Sequence, residues 1–294
     1  MVVAAFLFSV MGACVKWAGR HYGIAELVLY RSLIGAVILY VFVLWRGASL
    51  STSHAGMHIR RSVSGTVALA LWFFATTWLP LGTAMTLNYA SSLYLAAAVV
   101  GIALHRRQRV DAKLAFAVVA GFAGVLLVLQ PSFSRDQSLV ALAGVLSGVL
   151  AAVAYWHVRD LGRLGEPEWR TVFYFSVTGT VLGLAASLVN GFSSHTGQGV
   201  VLLAGVGVSA LLAQLAMTRA YGSRHTLLVA NLQYSAIVFA SILGLTLFGD
   251  QIAVIGWIGI AVIIVSGVLA STVTARRRHA APAEITVVEP AAEK

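Results

Sequence analysis

The chain has 294 residues and a formal net charge of +10, with 59% hydrophobic and only 10% charged residues. An ordinary soluble domain carries about 25% charged residues, and a mean hydropathy of +0.88 leaves too little polar surface to cover a water-soluble fold of this size. A soluble enzyme is excluded, and so is a disordered chain, which combines low hydrophobicity with high charge. The class that remains is an integral membrane protein. A single cysteine, Cys14, excludes an intrachain disulfide and a CxxC pair, and the eight His lie mostly in polar stretches, so neither a structural metal nor a cofactor is expected.

Continuous apolar runs of about 20 residues, rather than short alternating stretches, specify membrane-crossing helices and not a β-barrel. In chain order ten are predicted, at 2–20, 25–45, 63–83, 84–104, 113–130, 138–157, 170–189, 200–219, 226–248 and 252–272. Pro80, Pro131 and Pro167 mark run ends, where a residue that cannot continue a helix belongs. The polar stretch 274–294 is expected to be a disordered tail. The N-terminus enters the first run with no basic segment and no small-residue cleavage site, so it is not read as a cleaved signal.

The basic residues set the expected orientation. Loops after even-numbered runs and the tail hold sixteen of the twenty: Arg46, Arg60 and Arg61; Arg106, Arg107, Arg109 and Lys113; Arg159, Arg163 and Arg170; Arg219 and Arg224; and Arg276, Arg277, Arg278 and Lys294. Loops after odd-numbered runs hold only Arg20 and Arg135. Both termini are therefore expected in the cytoplasm of a multi-pass inner-membrane protein. The positive charge is accounted for by topology and anionic headgroups, and no nucleic-acid partner is expected.

Shifting the chain by 140 residues pairs Glu26 with Glu166, Gly65 with Gly205, Ala70 with Ala210, Gly82 with Gly222, Thr86 with Thr226, Ala90 with Ala230 and Tyr94 with Tyr234. A shift of 139 pairs Trp17 with Trp156, Arg20 with Arg159 and Gly23 with Gly162. Two five-helix halves are expected, 1–134 and 135–273. Five is odd, so the second half enters the membrane inverted. That is the architecture of secondary transporters, with the substrate site near the midplane between the halves.

Several motifs resemble the drug/metabolite transporter superfamily of the EamA type. They are Lys16-Trp17, the Tyr30-Arg31-Ser32 stretch, the Leu79-Pro80-Leu81-Gly82-Thr83-Ala84 turn, and the Gly-rich fifth and tenth runs (Gly121, Gly124; Gly256, Gly259, Gly267). The likeness spans about residues 2–272 and, among bacterial members, is greatest to exporters of amino acids, including aromatic ones. It implies an all-α fold of ten transmembrane helices in a 5+5 inverted repeat, with a central cavity lined mainly by helices 1, 3, 4, 6, 8 and 9. It implies a non-enzymatic exporter of small neutral or zwitterionic metabolites; a proton-coupled exporter of amphipathic drugs or nucleotide sugars is the alternative.

Polar and charged groups inside a bilayer are functional candidates because they are costly there. Lys16 either snorkels to headgroups or binds a substrate carboxylate. Trp17 and Trp156 are either gating aromatics at opposite mouths of the cavity or members of the interfacial belt. Trp72 lies mid-helix. Asn88, Tyr89, Ser91 and Tyr94 on the fourth run, Tyr155 on the sixth, Gln214 on the eighth, and Asn231, Gln233 and Tyr234 on the ninth are candidates to line the cavity. Glu26 and Arg31 are read as structural membrane charges, and the GxxxG pairs Gly144/Gly148 and Gly179/Gly183 as sites of close helix packing. Of ten acidic residues only Glu26 falls within a run, near its end. With no carboxylate at the midplane a facilitator is expected, leaving Lys16 or His157 as candidates if protons are coupled. Intramembrane catalysis would need a Ser–His or Asp–Asp pair, and a channel would need charge rings or a filter loop; neither pattern is present. A monomer is compatible with the pattern, which does not specify an oligomer.

Overall fold

The computed structural model describes residues 1–107, 112–129, 135–222, 229 and 231–280. Among these there are eleven α-helices and no strand: α1 (Val2–Ala18), α2 (Ile24–Arg46), α3 (Ala55–Trp78), α4 (Leu81–Tyr89), α5 (Ser91–His105), α6 (Ala112–Leu129), α7 (Arg135–Arg163), α8 (Glu168–Asn190), α9 (Gly197–Tyr221), α10 (Ser235–Leu243) and α11 (Val254–Ala280). Five of them are long and apolar enough to cross a membrane: α2, α7, α8, α9 and α11. Their ends follow local chemistry. Gly47 closes α2 at φ 60, which a side chain would resist. Pro80 and Pro167 stand immediately before α4 and α8, where no N–H is needed. The Thr196 side chain caps α9 by accepting from the Gly199 N–H at 3.1 Å.

Four boundaries differ from expectation. α3 starts at Ala55 rather than 63 and so takes Arg60 and Arg61 out of the connecting loop. The fourth run is two helices, α4 and α5, separated at Ala90. The ninth is interrupted by a turn at Gln233–Tyr234, and α10 then continues into a π-helical turn at Gly244–Phe248. α11 extends to Ala280, past the expected start of the tail. Hydropathy conceals all four: Ala and Leu read as helix whether or not the axis breaks, and the polar residues at the start of α3 and the end of α11 read as loop. Arg109, Asp111, Pro131, Arg224, Thr226, Ala230, the boundary at 134 and the tail beyond 280 lie outside the described residues.

The helices pair across the chain rather than along it. α1 packs on α9 and α10, and α3 packs on α7 and α8. α2 packs on α8 and α9, α4 on α10 and α7, and α6 on α11. The apolar core lies along α1, α3, α4, α9 and α10, with Phe73, Met11, Leu81, Met85 and Ile237 fully enclosed. Glycines permit the closest approaches. A Cβ on Gly183 would stand 2.7 Å from the Leu29 backbone nitrogen, and one on Gly179 would collide with Ser32, so α2 and α8 meet backbone to backbone. Gly144 and Gly148 admit Leu87 and Tyr94 against α7 in the same way.

Two carboxylates tie opposite ends of the bundle. At the end bearing Lys16, Glu26 accepts from the Gly23 N–H (3.2 Å), the Ser193 N–H (3.1 Å) and the Ser193 hydroxyl (2.7 Å), joining the start of α2 to the α8–α9 connection. At the other end Glu166, just ahead of α8, accepts from the Thr52 hydroxyl and from Arg170 Nη1 at 2.8 Å, with His54 Nδ1 at 3.3 Å. This joins α8 to the α2–α3 connection. Burial raises the Glu166 pKa, but these donors outweigh it and hold the carboxyl at about 2, below its ordinary 4.5.

Two outcomes are expected. Gly183→Val lowers stability by about 1–3 kcal/mol in thermal unfolding, whereas Gly56→Ala, where nothing lies within 4 Å, does not lower it. Because the Glu166 carboxyl is depressed in the fold, its contribution is complete above pH 4.5 and is lost as pH falls toward 2. Protection of the amides in residues 48–54, relative to an unfolded chain at the same pH, should fall within that window, and Glu166→Gln should remove that change.

Candidate functional site

A cavity of about 60 Å³ lies in the middle of the bundle, large enough for a few waters. Phe8 and Met11 of α1, Met85, Asn88 and Tyr89 of α4, and Tyr155 of α7 contribute walls. From α3 come Arg61, Gly65, Ala68, Leu69 and Trp72. Arg31 of α2, Phe175 of α8 and Gln214 of α9 complete the lining, together with Ala151 and Ala154. Residues 61, 65, 68 and 72 fall at i, i+4, i+7 and i+11, which is one helical face.

The chemistry is concentrated in two guanidinium groups. Arg31 is 3% exposed and Arg61 2%. They share one aromatic ring: Arg31 Cζ lies 4.6 Å and Arg61 Cζ 3.8 Å from the centre of Phe175. Two like charges within about 8 Å repel by about 2 kcal/mol or more, even at an effective dielectric near 20. No Asp or Glu lines the cavity. Arg31 Nη2 reaches Gln214 Oε1 at 3.4 Å, a long bond to a neutral acceptor. Arg31 Nε, Arg61 Nε and Nη1, Gln214 Nε2 and Trp72 Nε1 are buried without a hydrogen-bond partner. The arrangement is a donor-rich, acid-free, aromatic-walled site.

Among the residues singled out from the sequence, Trp72, Asn88, Tyr89, Tyr155 and Gln214 line this cavity, and Arg31, read as a structural membrane charge, joins them. Asn88 also donates to Ser147 at 3.1 Å. The others lie elsewhere. Lys16 donates to both oxygens of Asp250 at 2.6 and 2.7 Å and to the Leu79 carbonyl at 3.2 Å. Asp250 also accepts from the Leu81 N–H at 2.8 Å, so one ion pair binds α1, the α3–α4 turn and the segment after the π turn. Trp17 packs on Phe248 at 5.3 Å, and Trp156 lies beneath Arg159 at 4.5 Å; both are more than one third exposed and on the flank of the bundle. Ser91 is buried at the α4–α5 break and Tyr94 fills the notch of Gly148. Asn231 accepts from Ser271, Gln233 accepts from the Tyr221 hydroxyl, and Tyr234 is buried against Gly267. His157 contacts its own helix at the Val153 carbonyl.

Arg61 and Phe175 were missed. Arg61 counted as a loop charge while α3 was thought to begin at 63; its phase with Gly65, Ala68 and Trp72 was the available signal. Asp250 was missed as a partner of Lys16 because 234 residues separate them.

A bundle of apolar helices around a small polar centre, with further charges tied at the ends, fits the class of multi-pass membrane transporters. Comparison with known proteins supports this class. Residues 1–130 match the model of the EamA-like transporter family. A pseudopaline exporter of Pseudomonas aeruginosa is 31% identical over 238 residues, covering 81% of this chain and 82% of its own. A riboflavin transporter of Vibrio cholerae is 26% identical, covering 90% of this chain and 89% of its own. A crystal structure that is 20% identical matches 94% of the chain and 96% of its own with a TM-score of 0.62, which shows the fold. The chain belongs to the EamA-like transporter family.

Breaking one side of a buried ion pair costs about 3–5 kcal/mol. Asp250→Asn should therefore destabilise the protein by about 3 kcal/mol. The double variant Lys16→Met/Asp250→Leu should lose less than the two single changes together, as thermal unfolding of all four forms would measure.

Proposed function

We propose that the chain is a secondary exporter of small metabolites carrying a carboxylate and an apolar or aromatic part, amino acids among them. It works by alternating access and lets substrate run down its own gradient. The observation that carries this reading is the central cavity. Helices from both halves of the chain line it, and the Lys16–Asp250 pair closes the bundle at one end. Its volume of about 60 Å³ is far below the ~300 Å³ of ordinary ligand pockets. A volume this small fits a carrier whose cavity widens when substrate binds better than it fits an open pore.

An inverted relation between halves 1–134 and 135–273 is supported by the helix pairings. The contact of α1 with α9 has its counterpart in α7 with α3, and that of α2 with α9 in α8 with α3. The Glu26 and Glu166 ties are counterparts too, each joining its helix to a hairpin of the other half. The loop charges favour cytoplasmic termini in a bacterial inner membrane, which puts the Lys16–Asp250 end outside. The described acids lie away from the cavity, which favours a facilitator over a proton-coupled carrier. Two buried arginines disfavour permanently cationic drugs as cargo.

The test is counterflow in proteoliposomes with labelled phenylalanine and labelled glutamate. At least one should accumulate, with a rate that ignores an imposed pH gradient and falls about tenfold or more in Trp72→Ala. Absence of counterflow for both would sink the carboxylate reading, and a rate that follows the pH gradient would sink the facilitator.

A further inference from the structure

We infer that Arg31, Arg61 and Phe175 form an anion-binding subsite that selects substrates with two acidic groups attached to an apolar or aromatic body. This deepens the exporter reading and rests on it. The two guanidinium groups come from different helices and meet over one ring, so neither position is incidental to its own helix. Both residues are more than nine-tenths buried and keep N–H groups without partners. Gln214 Nε2 and the Trp72 indole N–H, also in the lining, add two further unmet donors. Every unsatisfied polar nitrogen in the lining is therefore a hydrogen-bond donor, and no acid is present to neutralise the arginines.

Charge and hydrogen-bonding demand agree on the ligand. A planar carboxylate matches a guanidinium fork with two parallel bonds, and two carboxylates neutralise two arginines. A net-neutral zwitterion would leave the site with its full positive charge and would bring an ammonium group close to two cations. A substrate with one acidic group would neutralise half of it. The apolar body has Phe8, Met11, Met85 and the aromatic faces of Trp72, Tyr89 and Tyr155 to rest against.

The experiment uses the full-length protein in detergent and four probes with aromatic groups and different charges: phenylsuccinate (two negative), N-acetylphenylalanine (one negative), phenylalanine (net zero) and tetraphenylphosphonium (one positive). Thermal stabilisation against probe concentration gives each affinity. The expected order is phenylsuccinate, then N-acetylphenylalanine, then phenylalanine, with about tenfold between successive probes and no stabilisation by the cation. Arg31→Gln and Arg61→Gln should each reduce the affinity for phenylsuccinate to about that for N-acetylphenylalanine, leaving phenylalanine little changed. A merely structural arginine would weaken all probes alike. If either glutamine variant does not fold, the wild-type order decides, with Arg61→Lys as the variant that keeps charge but loses the fork. Equal affinity for phenylalanine and phenylsuccinate, binding of the cation, or no stabilisation by any probe would overturn the subsite. Counterflow of phenylalanine or glutamate would still judge the exporter reading separately.

Discussion

Charge is costly inside an apolar bundle, and where this chain puts its charges organises the rest of the structure. With 10% charged residues, each buried charge needs a partner. Lys16 is answered by Asp250, Glu26 by the Ser193 donors, and Glu166 by Thr52 and Arg170. All three arrangements sit at helix ends, where backbone N–H groups and connecting loops can contribute. They leave the middle of the bundle to apolar packing and to two arginines that share an aromatic ring but have no acid. The contrast between answered charge at the ends and unanswered charge at the centre makes the centre a site and the ends a frame.

The frame explains why the cavity is so small. Gly179 and Gly183 draw α8 onto α2, and Gly144 and Gly148 draw α7 onto α4 and α5. Side chains narrow the interior: Trp72 reaches toward Gly12, and Tyr155 stacks on Tyr221 at 5.5 Å. The breaks at Ala90 and at Gln233–Tyr234 fall between α4 and α5 and just before α10, and α4 lines this interior. Backbone bonds bridge both breaks, as a membrane requires: Tyr94 N–H donates to the Ala90 carbonyl at 3.1 Å and Ile237 N–H to the Tyr234 carbonyl at 3.0 Å.

Much of this was legible in the sequence. The apolar runs located the helices, the glycine pairs marked close contacts, and Trp72, Asn88, Tyr89, Tyr155 and Gln214 could be singled out because polar or bulky groups in mid-run need an explanation. What could not be read has physical causes. The start of α3 was obscured because residues 55–62 are polar enough to resemble a loop, so Arg61 was counted as a topology signal. The π turn and the helix breaks leave no mark on hydropathy. The Lys16–Asp250 pair depends on tertiary geometry that no local pattern encodes. Arg31 was noticed but read as a structural membrane charge, because the approach of Phe175 and Arg61 is set by tertiary packing that its own helix does not reveal.

The pairing of helices also bears on how the molecule comes into being. α1, α2 and α3 find most of their packing partners in α7 to α10, and the acid that answers Lys16 follows it by 234 residues. Insertion of individual spans and their association are separable stages for helical membrane proteins. In this chain the first helices must therefore wait in the bilayer, with a lysine and two arginines exposed to whatever surrounds them, until the last third has been synthesised. Most of the packing that encloses the first three helices therefore becomes available only after the later helices have been made.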